Sequence, residues 1–438
     1  MKSKLTFTVL AFTLIMCAGC GHPPRETITQ PKPQEEMPAP AIKVYIENSG
    51  SMNGYVEGAT DFENAVYSYL SDLQLANLGT RTREDSLSFK NRMELNFINS
   101  CISPQEASDI IEFIKKLEPK VFRDDAEKHG GDLGTSDISD IIGKILDNLK
   151  DDEIAILVSD CIFSPGKEYK VKDNADDYLV AQQIGIKNHV AKKMAANPNI
   201  SFVMMRLLSQ FNGNYYNKFD DSIGLKNVKR PFYIWLMGDS KYLKKIMNTV
   251  DYHKIKGGGV QNIYAISSAV QNLNYGILDQ PRIGKFSRDK AASKTSIVNA
   301  KTENRGGEPQ FQLSIGVDYS NLLLEDEYLL DSMNYNISND SYSLKVTKNP
   351  NKNPNQSSSY THIIKLTLKQ PIISKGIVKI SLLNNMPKWI YAFNDEDGSN
   401  INADRAMEKT YGLKYLAEGV YDAFAKSDKY ATITININ

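Results

Sequence analysis

The stretch IKVYIENSGSMNGYV, residues 42–56, reads as an apolar strand that runs into Glu47-Asn48-Ser49-Gly50-Ser51-Met52 and then a glycine turn. Glu47, Ser49 and Ser51 stand at alternate positions, so three side-chain oxygens can turn to one side, and Gly50 permits a tight turn between the serines. Oxygen donors of this kind suit a hard cation. Mg²⁺ takes six oxygens at about 2.0–2.1 Å and keeps several waters, so one or two carboxylates with hydroxyls suffice. A plain polar turn is the alternative, and the rest of the chain has to choose.

From residue 41 to about 250, strand-like and helix-like runs alternate. IKVYIEN precedes DFENAVYSYLSDLQLA, where Phe62, Val66, Tyr69, Leu70 and Leu73 share one helical stripe and Asp61 is placed to cap it. MELNFIN is the next strand. SPQEASDIIEFIKKL predicts a helix with Ser103 as N-cap, Pro104 at the first position and Glu106 completing a capping box. DISDIIGKILDNL puts Ile138, Ile141, Ile142 and Ile145 on one side, with Asp137 as a cap. EIAILVS, NISFVMMRLL and RPFYIWLMG are apolar strands, with the helix DDYLVAQQIGIKNHVAKKMA between the first two and the helix SKYLKKIMNTV after the third. Continuous apolar strands among helices predict a doubly wound, mainly parallel sheet covered on both faces. Residues 251–305 read as a linker, with Gly257-Gly258-Gly259 as a turn because no P-loop lysine follows. FQLSIGVDY, SYSLKVTK, THIIKLTLK, GIVKISLLN and YATITININ then predict a mainly antiparallel β-rich domain over 306–438, with one helix, YGLKYLAEGVYDAFA.

Two further oxygen groups stand in matching places. GGDLGTSDISDII sets Thr135 in a glycine-rich loop before a helix, and AILVSD ends a strand on Asp160. In open α/β sheets ligands gather at the carboxyl ends of strands. With its Glu47-x-Ser49-x-Ser51 loop after the first strand, Thr135 on a later loop and Asp160 at a strand end, the segment 41–250 resembles the von Willebrand factor type A (VWA) family. The resemblance implies a Rossmann-like sheet, a metal-ion-dependent adhesion site (MIDAS) made by Glu47, Ser49, Ser51, Thr135 and Asp160, and a divalent ion that helps bind a partner's acidic group. The family's first ligand is Asp, which usually reaches the ion through water. Glu47 is one methylene longer, so the implied ion is Mg²⁺, or Mn²⁺, or the geometrically more tolerant Ca²⁺. A degenerate site that keeps only the fold is the alternative.

The chain has 438 residues, long enough for two domains, with 41% hydrophobic and 24% charged residues. Lys plus Arg equals Asp plus Glu at 52 each, which gives no electrostatic ground for a nucleic-acid partner. Residues 1–20 predict an export signal: Lys2 and Lys4, an apolar core from Leu5 to Met16, then Cys17-Ala18-Gly19-Cys20. The ending Ala-Gly-Cys resembles a bacterial lipobox, which implies lipid attachment at Cys20. Residues 21–40 hold a cluster of prolines and few large apolar groups, and read as a stiff tether. Gly21 lacks the aspartate that resembles an inner-membrane retention signal, so the expected location is the outer membrane. Cys101 and Cys161 follow strand-like runs, and an oxidising compartment allows either a disulfide or two free thiols.

Other candidates carry less. Asp395-Glu396-Asp397-Gly398 lacks an oxygen ligand at Phe393, so it fails as an EF-hand and reads as an acidic turn. His129 and Asp132 lie near Thr135 as rim residues, and the five histidines show no metal-ligand spacing. Ser49 and Ser51 lack a nucleophile elbow. The expected protein is therefore a lipid-anchored envelope binding protein and not an enzyme, with a protein or envelope component as partner. A metal-free scaffold module is the rival, and a metal-dependent hydrolase is a more distant one.

Overall fold

The computed structural model describes residues 39–75, 93–134, 136–164, 175–219, 221–267, 272–289, 294–320, 322–350, 360–402, 405–424 and 428–438. Cys20, the tether up to Pro38 and Thr135 lie outside them. The described residues form one compact unit.

The first sheet is built by β1 (Ala41–Glu47), β2 (Met93–Ile98), β3 (Ile102–Pro104), β4 (Glu153–Ser159), β5 (Ile200–Tyr216), β6 (Ser222–Asp239) and β7 (Val260–Ser267). Their order is β3-β2-β1-β4-β6-β5-β7. Around it lie α1 (Asp61–Leu75), α2 (Ile110–Ile114), α3 (Pro119–His129), α4 (Ile138–Asn148), α5 (Ala175–Ala196) and α6 (Ser240–Thr249). A 3₁₀ turn, Gly50–Tyr55, follows β1 directly.

The fold is mixed α/β, and the expectation of a mainly parallel sheet is corrected. Only β1–β2 and β1–β4 pair in parallel, while β2–β3, β4–β6, β5–β6 and β5–β7 pair antiparallel. The runs VMMRL (203–207) and FYIWLM (232–237) are buried on both faces, as expected. Burial does not fix direction, however. No helix separates them, so they fold back as two arms of one long hairpin, and a hairpin is antiparallel.

The stripe Phe62, Val66, Tyr69, Leu70 and Leu73 of α1 is buried, and Asp137 caps α4 by accepting from Asp140 N at 2.8 Å. Two helix starts move. Thr60 Oγ1, rather than Asp61, accepts from Glu63 N at 3.5 Å. Ser103 and Pro104 belong to β3, and α2 begins after Asp109, whose carboxylate accepts from Glu112 N at 2.7 Å. Ser103 instead gives its hydroxyl to Asp125 Oδ1 at 2.7 Å, a tertiary contact that no local capping pattern foretells.

Residues 251–305, expected as a linker, carry β7 together with β8 (Asn274–Ile283), β9 (Lys285–Arg288), β10 (Ser296–Lys301) and β11 (Glu303–Arg305). The three glycines all take positive φ, as a turn there requires. Then follow β12 (Glu308–Gln310), β13 (Gln312–Asp318), α7 (Asp326–Leu330), β14 (Tyr335–Ile337), β15 (Tyr342–Lys348), β16 (His362–Leu368), β17 (Gly376–Leu383), α8 (Lys388–Ala392), β18 (Asn394–Asp395), β19 (Thr410–Tyr411), α9 (Leu413–Ala423) and β20 (Lys429–Ile437). The sheets β14-β17-β20-β10-β9 and β15-β16-β13-β8 share an apolar core that includes Ile315, Leu366, Ile380 and Ile433.

Helix α9 belongs elsewhere. Leu413, Leu416, Ala417, Val420 and Phe424 join the core made by α4, α5 and the first sheet. The approach is close: a Cβ on Gly419 would stand 2.8 Å from Gln183 O on α5. Trp389 packs against this same core, not that of the second domain. Among the described residues no helix is long and apolar enough to cross a membrane.

Candidate functional site

β1 and β4 run in parallel with Ile46 opposite Val158, so their carboxyl ends stand side by side. Glu47 ends β1 with its side chain wholly buried. One carboxylate oxygen, Oε1, accepts from Ser136 Oγ at 2.6 Å, and Oε2 accepts from Ser159 Oγ. The Ser49 hydroxyl acts on this carboxylate as well, drawing its pKa down. Ser49 and Ser51 hydroxyls lie 3.1 Å apart. Asp160 is buried beside them, with Oδ1 accepting from Ile162 N at 3.1 Å. The Ser51 hydroxyl acts on the same carboxylate, while Oδ2 accepts no hydrogen bond of normal geometry.

The backbone holds these groups in place. Asn48 N donates to Ile98 O at 3.1 Å and Gly50 N to Leu133 O at 2.9 Å, tying the serine turn to the ends of β2 and the 130–134 loop. Gly54 lies against the Phe211 ring of β5, where any Cβ would overlap it. Ser136 bridges to Ser164, which sets its hydroxyl over Glu47. Cys161 takes a positive φ of 56°, a strained turn directly after Asp160.

Two carboxylates buried this close cannot both ionise without cost. Burial raises Glu47 above the usual carboxylate range, against three serine hydroxyls that pull it down. Asp160 is pushed up to about 7, first by burial and then by the charge of Glu47, while Ile162 N–H, Ser51 and Arg230 oppose the shift. Arg230 and Arg206 are themselves buried, at 1% and 2% exposure. The guanidinium of Arg206 lies 3.7 Å from the Phe393 ring centroid and donates to Glu408 O at 2.7 Å. That of Arg230 lies 4.3 Å from the Tyr215 ring. Each keeps an Nε without a partner. The nearby positive charge on Arg230 partly balances Asp160.

The structure thus brings Glu47, Ser49, Ser51 and Asp160 together, and Thr135 lies outside the described residues. Sequence reasoning missed Ser136 and Ser159, although each is a hydroxyl next to a named residue. It also missed Arg206 and Arg230, whose signal was a charge set inside or beside an apolar strand run. Among the described residues no group of three or more His, Cys, Asp or Glu side chains clusters in a metal-holding arrangement. Any ion here would rest on hydroxyls as much as on carboxylates.

The remaining candidates are structural. Asp395 Oδ1 accepts from Asp397 N at 3.0 Å and Gly398 N at 2.9 Å, and Glu396 pairs with Lys414, so the acidic turn is satisfied by its own backbone and a lysine. His129 stands 3.9 Å from Asp125 on α3, and Gly143 packs against the His189 ring. Cys101 and Cys161 are free thiols. Burial pushes the Cys161 thiol far above its ordinary range, so it is no thiolate nucleophile at neutral pH. Comparisons with family models, curated proteins and solved structures return no match for this chain.

Proposed function

We propose that the chain is a lipid-anchored envelope binding protein of VWA-like design, attached through Cys20, whose Ser49–Ser51–Asp160 cluster holds a divalent ion and binds a partner through an acidic group. The observation that carries this reading is Asp160 Oδ2, a buried carboxylate oxygen that accepts no hydrogen bond of normal geometry although the Ser51 hydroxyl acts on the same carboxylate. Such an oxygen is costly to bury unless something positive meets it. The donor set fits a hard cation, because every atom it offers is oxygen. Asp160 and the two serines would hold the ion, and Glu47, committed to Ser136 and Ser159, would act on it through Ser49. Bound there, the ion supplies an electrophile for a partner's carboxylate. The chain's own part is to fix the hydroxyls with the Gly50–Leu133 contact.

The test is thermal unfolding of the full chain in EDTA and in Mg²⁺ or Mn²⁺. Metal raises the melting temperature of the wild type, and Ser51→Ala removes the rise while leaving both carboxylates in place. Superimposed wild-type curves refute the ion site. A second reading, a metal-free scaffold, draws on the saturation of Glu47 by serines and on the Arg230 charge near Asp160. It predicts those superimposed curves, together with envelope pull-downs that chelator leaves unchanged.

A further inference from the structure

We infer that a second site, independent of the carboxylate cluster, binds a small organic cation in the cavity along the outer edge of β7. The cavity measures about 360 Å³, within the range of small-molecule sites. β7 is the last strand of its sheet, and its outer carbonyls are closed off by side chains. Trp389 Nε1 donates to Ile263 O at 3.2 Å, and Tyr430 Oη donates to Ala265 O at 2.9 Å. These bonds fix two aromatic rings as walls. Tyr328 adds a third, in edge contact with Tyr430 at 6.1 Å. Its hydroxyl is spent on Leu383 O at 2.7 Å, so its ring and not its oxygen is what it offers the cavity.

The charges of the lining point to a cationic occupant. It carries Glu325, Glu327 and Asp331 against one lysine, Lys388, and one histidine, His253. Asp331 pairs with that lysine at 3.1 Å, and Glu325 accepts from Tyr252 Oη at 2.6 Å. Glu327 pairs with no other side chain among the described residues. Aromatic faces under an excess of carboxylate attract a cation and repel an anion. The apolar part of the wall, from Leu324, Met386 and Pro387, suits an organic body rather than a hydrated metal ion.

The experiment titrates the full chain by calorimetry with 2-phenylethylammonium and with its neutral isostere 2-phenylethanol, while following Trp389 fluorescence. The ammonium binds about tenfold more tightly than the alcohol, as an aromatic site with a nearby carboxylate allows. Glu327→Gln, on the exposed rim, cuts that preference about threefold without lowering the melting temperature. Equal affinities for the two probes, or no binding of either, overturn the proposal.

Discussion

Replacing Asp160 by Asn turns the buried carboxylate pair into a measurable quantity. In the native chain this carboxyl is pushed from 3.8 to about 7. At about 1.4 kcal/mol per decade, that corresponds to about 4 kcal/mol by which ionised Asp160 weakens the metal-free fold. The sign follows from proton counting. Between roughly pH 4 and 7 the native state keeps a proton that the unfolded chain has released, so stability falls as pH rises through that window. Below about pH 4 both states are protonated and the penalty vanishes; above about pH 7 it is complete. The amide introduced by Asp160→Asn does not titrate, and its oxygen can still accept from Ile162 N. The variant should therefore match the wild type near pH 4 and exceed it by up to about 4 kcal/mol at pH 8. For a chain of this length that is a rise of roughly 5 °C. Because the pair is coupled, the difference reports Glu47 and Asp160 together. Glu63, also raised to about 7, titrates in both proteins and cancels in the difference. The assay is thermal unfolding in EDTA from pH 4 to 8, wild type beside Asp160→Asn. Parallel curves over that span refute the view that the two carboxylates are electrostatically strained. Added Mg²⁺ at pH 8 should reverse the order, because the variant lacks the carboxylate proposed to hold the ion.

Two further outcomes follow from the packing. Gly54→Ala drives a methyl into the Phe211 ring, at the seam between the serine turn and β5. It should lower stability by about 1–3 kcal/mol in a denaturant titration and blunt any metal response, because the seam positions Ser49 and Ser51. Leu416→Ala, far from the site on α9, should lower stability by about 2–5 kcal/mol, since Leu416 is fully buried against the α5 side of the first sheet. A 41–250 fragment, which lacks α9 altogether, should accordingly show exposed apolar surface by dye binding, and a fragment that unfolds cooperatively with native stability would contradict this.

The sequence by itself determined several local features. Apolar periodicity placed the buried stripe of α1, Asp137 marked the start of α4, and the alternate oxygens of Glu47, Ser49 and Ser51 marked the end of β1. These readings hold because each depends on side chains a few residues apart along one backbone. Tertiary structure alone decided how strands pair, so the hairpin β5–β6 turned an expected parallel sheet into a mixed one. It also chose which hydroxyls meet Glu47, sending Ser136 and Ser159 to the carboxylate. It docked α9 from the C-terminal part into the first core, and it buried Arg206 and Arg230 under the 405–411 segment. The physical reason is common to all four. Burial and periodicity say that a side chain is inside, but its neighbour there is set by contacts tens to hundreds of residues away, and no local pattern encodes that partner.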